Sequence, residues 1–67
     1  MQLIINGNLR NFDHPIPTVY ALVTLLSLEG RRLAIEKNGA IVPRSLFTET
    51  PLNSGDKLEI VGAVGGG

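Results

Sequence analysis

Apolar residues recur along this chain with two different periods. A period of two marks "QLII", "RRLAIEK" and "KLEIV", where Leu3 and Ile5, Leu33 and Ile35, and Leu58 and Ile60 each fall on one side of an extended segment. A helical period marks Val19, Leu22, Val23 and Leu26, spaced i, i+3, i+4 and i+7. Thr18 stands where the N-cap of that helix belongs, and Gly30 is the expected stop after about three turns. The pattern therefore predicts several strands and one amphipathic helix.

The connections follow from turn chemistry. "QLII" and "LRNF" flank Asn6-Gly7-Asn8, which predicts a hairpin. Its register stays open, because turns centred on Asn6-Gly7 and on Gly7-Asn8 present opposite faces of "LRNF". The two prolines of "HPIP" rule out a continuous ladder and predict an extended connector. Asn38-Gly39 predicts a second tight turn into a short strand, Ala40-Ile41-Val42, which Pro43 ends. "RSLF" suits one helical turn, and Asn53 to Asp56 a loop before the last strand. The order is strand, strand, helix, strand, short strand, helical turn, strand. With the first and last strands side by side and parallel, this is an α+β arrangement, a mixed sheet packed on one helix: the β-grasp architecture of ubiquitin-like proteins. Residues 1–61 are expected to form that fold and residues 62–67 a flexible C-terminal arm.

Six basic residues balance six acidic ones with no basic cluster, so neither nucleic acid nor an anionic membrane has an electrostatic handle. The absence of cysteine removes a disulfide framework, a thiolate metal site and a thiol nucleophile. A metal site is not expected, since His14 is the only histidine and the carboxylates at Asp13, Glu29, Glu36, Glu49, Asp56 and Glu59 are scattered. No serine, histidine and acid combination suggests a nucleophilic catalyst either. "MQLIING" has no leader-like pattern and no apolar run reaches membrane-spanning length, so the expected setting is intracellular.

One segment is left without a role in a core. "VGAVGGG", Val61 to Gly67, cannot open a helix as a phosphate-binding glycine loop must. From Gly62 through Ala63, Val64, Gly65, Gly66 and Gly67 it can extend about 20 Å, and backbone without Cβ atoms passes narrow channels and leaves the last carbonyl unobstructed. The expected reactive group is the carboxylate of Gly67, presented to another protein.

The whole chain resembles the ThiS family of sulfur carriers in thiamine biosynthesis, on the strength of its "NG" hairpins, "IVPRS", "GDKLEIV" and terminal "VGGG". The resemblance implies that the chain is no enzyme and binds no cofactor. It implies that an E1-like adenylyltransferase activates Gly67 with ATP, that a persulfide-bearing donor supplies sulfur, and that the resulting thiocarboxylate serves thiazole synthase. It places the chain in the cytoplasm, or in the plastid stroma for a photosynthetic eukaryote. The helix departs from the family pattern in lacking acidic residues before Glu29. The small subunit of molybdopterin synthase and a ubiquitin-like protein modifier are the alternative readings. Finally, the strand period sends Ile4, Ala34 and Val61 to the sheet face away from the helix. Ile4, Val61, Ala63 and Val64, with Phe47 or Arg44 at the edge, are the expected docking surface for both partner enzymes.

Overall fold

The computed structural model describes residues 1–62; Ala63, Val64, Gly65, Gly66 and Gly67 lie outside the described residues. Five strands form one sheet: β1 (Gln2–Ile5), β2 (Asn8–Asn11), β3 (Leu33–Lys37), β4 (Ala40–Val42) and β5 (Lys57–Gly62). Their spatial order is β2-β1-β5-β3-β4. The last strand is thus central, parallel to β1 and antiparallel to β3. One helix, α1 (Val19–Leu25), and a 3-10 turn (Arg44–Leu46) complete the fold.

The first hairpin pairs Ile5 with Asn8, so the turn is Asn6-Gly7, both at positive φ. Asn38-Gly39 turns the same way. Positive φ at two successive residues matches the twist of the flanking strands, and Asn-Gly reaches it at least cost.

At the start of α1, four consecutive N–H groups find partners. Val19 donates to the Thr50 carbonyl, Tyr20 to the Phe47 carbonyl, Ala21 to the Thr18 hydroxyl and Leu22 to the Thr18 carbonyl. A helix start leaves the first three of these donors without intrahelical partners, and the segment from Phe47 to Thr50 is fastened onto α1 by supplying two of the acceptors. The helix is shorter than its periodicity predicts. Ser27 at φ 60° stops it; its N–H donates to the Thr24 carbonyl and that of Leu28 to the Val23 carbonyl. This 6→1 and 5→2 pairing closes helices on a left-handed residue. Gly30 sits further on, in the loop to β3.

The core lies between α1 and one face of the sheet. It contains Leu3, Ile5, Val19, Leu22, Val23, Ile35, Leu58 and Ile60, joined by Ile16, Val42, Phe47 and Leu52 from the connections. Leu26 and Leu33, expected inside, are only partly buried. Leu26 is already the C-cap residue, and Leu33 is the first residue of β3, so each lies at the border of the packed layer.

Candidate functional site

The site begins where β5 ends, because that strand carries the glycine segment. Two asparagines fix its course. β1 stops opposite Leu58, which would leave the N–H and C=O of Ile60 on that side unpaired. The Asn6 amide takes both, donating from Nδ2 to the Ile60 carbonyl at 3.0 Å and accepting the Ile60 N–H at 2.8 Å. At the other end of β5, Asn38 Oδ1 accepts the Lys57 N–H at 2.9 Å, and its Nδ2 donates to Asp56 Oδ1 at 3.0 Å. Each Asn-Gly turn therefore serves twice, once in backbone conformation and once as a side-chain clip on the central strand.

The surroundings of Asp56 shift its affinity for protons. Burial raises its pKa, but the Asn38 amide, the Asn53 N–H and nearby Lys37 outweigh that and hold it below the ordinary value. Lys37 stands 3.9 Å away, a long ion pair. Among the described residues, no three His, Cys, Asp or Glu side chains gather as metal ligands, and no helix is long and apolar enough to cross a membrane.

Gly62, expected as the first residue of the arm, is the last residue of β5 and pairs with Leu33. The strand continues one residue further because β3 begins at Leu33 and offers a partner there. Val61 pairs with Ala34 and is 55% exposed on the face away from the helix. Ile4 faces the same way, but it is partly buried and pairs with Lys57 and Leu9. Four residues of β5 separate those registers, about 13 Å, and Glu59 lies between beside Glu36. Ile4 and Val61 are therefore two separate spots. Val61 lies beside Ala34 on this face, and the shallow concavity they line is shared with Ile41 of β4, which is 77% exposed and stands opposite Glu36. Its position in the alternation of the short strand β4 would have found it.

Phe47 corrects the expected edge. It is 6% exposed, in the core on the helix side. Pro43 and the 3-10 turn carry the chain from β4 toward the start of α1, where the Phe47 carbonyl holds the Tyr20 N–H. Arg44 goes with it, lining a pocket with Tyr20, Val23 and Phe47 and donating from Nη2 to the Arg31 carbonyl at 3.3 Å. Ala63 and Val64 lie outside the described residues.

A helix on one face of a five-stranded mixed sheet, with first and last strands parallel at its middle, defines a β-grasp, ubiquitin-like protein. A solved structure of the thiamine biosynthesis protein ThiS from Geobacter metallireducens matches it with a TM-score of 0.87 at 29% identity, over 100% of both chains. The ThiS family model matches residues 3–67, and the chain belongs to the ThiS family. A thiazole synthase of Paramagnetospirillum magneticum is 48% identical across the whole chain, which spans 20% of that protein's length. The uncharacterized ycf40 proteins of Pyropia yezoensis and Porphyra purpurea are 41% and 40% identical over 63 residues, 94% of this chain and 87% of each relative.

Proposed function

We propose that the chain is a sulfur-carrier protein of thiamine biosynthesis, and that its reactive group is the carboxylate of Gly67. The observation that carries this reading is the extent of the family match, which continues past the end of β5 through the glycine segment to residue 67. The five residues after Gly62 can reach about 17 Å from the sheet, far enough to enter an active site in another protein.

A carboxylate is a poor acyl donor at neutral pH. An E1-like adenylyltransferase joins it to the α-phosphate of ATP with loss of pyrophosphate, which gives the acyl carbon a good leaving group. A persulfide-bearing donor then attacks that carbon through its terminal sulfur and AMP departs, leaving an acyl disulfide. A partner thiol attacks the donor's sulfur of that S–S bond, which releases the thiocarboxylate and leaves a disulfide on the partners for a cellular thiol reductant to reopen. The chain has no cysteine, so the sulfur nucleophile belongs to a partner. Nucleotide binding and catalysis likewise belong to the activating partner, and this chain acts as a protein substrate. The thiocarboxylate so formed passes its sulfur to thiazole synthase. A relative in which a matching segment occupies one fifth of a thiazole synthase supports that pairing.

Position should matter more than composition at the arm's end. Adding one alanine after Gly67 is expected to abolish ATP–pyrophosphate exchange by the purified E1-like enzyme while leaving the melting curve unchanged. Exchange at the wild-type rate would contradict the assignment to Gly67.

A further inference from the structure

The helix side of the molecule carries a pocket that the glycine arm does not explain. It encloses about 250 Å³ between the end of α1, the loop into β3 and the 3-10 turn. Its lining is apolar, from Tyr20, Val23, Leu28, Leu33 and Phe47, with Arg31 and Arg44 also opening onto it. Leu33 places it at the root of the arm, since its backbone partner across the sheet is Gly62. The left-handed Ser27 ends α1 early and brings the Leu28 N–H back to the Val23 carbonyl, and both residues line the pocket.

Two features describe what would fill it. The volume falls below the roughly 300–1,000 Å³ usual for whole small-molecule ligands, and suits one or two side chains. The charge is biased positive: Arg31 and Arg44 outnumber the single acid of the lining, Glu29. Arg44 is held in place by the Arg31 carbonyl, which uses one of its five N–H donors. Neither arginine is in an ion pair within the described residues, where the pair found is Lys37 with Asp56.

We propose that this pocket anchors an apolar side chain of thiazole synthase, with a neighbouring aspartate or glutamate of that enzyme seated on Arg44. The proposal rests on the sulfur-carrier reading and adds a docking point to it. A partner held there grips the carrier beside Gly62, the last described residue before the glycine segment. The Paramagnetospirillum magneticum thiazole synthase that includes a matching segment fits a carrier that works against that enzyme's surface.

The test is calorimetric titration of the chain against purified thiazole synthase of the same organism. Arg44→Glu reverses the charge at the rim, and Ser45→Trp fills the mouth from an exposed position of the lining. Each is expected to raise Kd about tenfold or more with an unchanged melting temperature, and Arg44→Lys, which keeps the charge, to lose less. Wild-type affinity should fall as salt rises, and the Arg44→Glu variant should lose that dependence. If both variants melt normally and bind within about twofold of wild type, the proposal is overturned, including the case of a pocket that serves a small anion instead. Failure of the wild-type chain itself to bind would overturn the carrier reading, and this docking point with it.

Discussion

The side chain of Asn6 pairs with the backbone of Ile60 as a strand residue would, giving one hydrogen bond and accepting another. Its own backbone is in the left-handed turn at φ 50°, so it ends β1 and extends the sheet's hydrogen bonding beyond it. The residue so held is two positions from the end of the strand that delivers the arm.

Asn6→Gly tests that role, because glycine adopts the positive φ without steric strain and removes the amide. Two partly buried bonds at about 0.5–1.5 kcal/mol each imply a loss of about 1–3 kcal/mol. Urea denaturation would measure it. Amide exchange at Ile60 should accelerate more than at Leu58, whose side chain is fully buried and whose carbonyl accepts the Asn6 N–H.

Asp56 gives a pH dependence of definite sign. Its folded pKa is depressed, so its contribution to stability is full above the unfolded value of about 4 and disappears as pH falls through the lower folded value. Asp56→Ala should be less stable than wild type at pH 7, and the difference should shrink below about pH 4. A difference that stays constant from pH 7 to pH 2 would show that the carboxylate's charge plays no part.

Core and arm should separate cleanly. Leu22 is fully buried, and Leu22→Ala should cost about 2–5 kcal/mol, a large part of the stability of so small a domain. Deleting Gly65 to Gly67 removes no side chain, and should leave the melting temperature unchanged while abolishing activation. Comparable losses of melting temperature from both changes would contradict a core independent of the arm.

The sheet was legible because alternation in "QLII", "LAIEK" and "KLEIV" gives each strand one apolar face, and because Asn-Gly announces both tight turns. Thr18 as N-cap was legible for the same local reason. What escaped was non-local. Serine is no signal for a left-handed stop, so the end of α1 at Ser27 depends on Leu28 finding Val23. Ile16 lies between two prolines, which describe an extended path but not its burial. A period of two assigns Ile4 and Val61 to a face without saying how far apart along it they fall, and the pairing of β1 with β5 sets that distance. Phe47 and Arg44 were placed by the 3-10 turn, whose direction no local pattern gives.

If the chain is a sulfur carrier as proposed, Gly67 carries the sulfur. Intact-mass spectrometry of the chain, after incubation with the E1-like enzyme, ATP and a persulfide donor, tests it most directly. The predicted product is heavier by the exchange of one carboxyl oxygen for sulfur, and fragmentation places the change on Gly67. A chain whose mass is unchanged, or that gains a whole protein through an isopeptide bond, would contradict it.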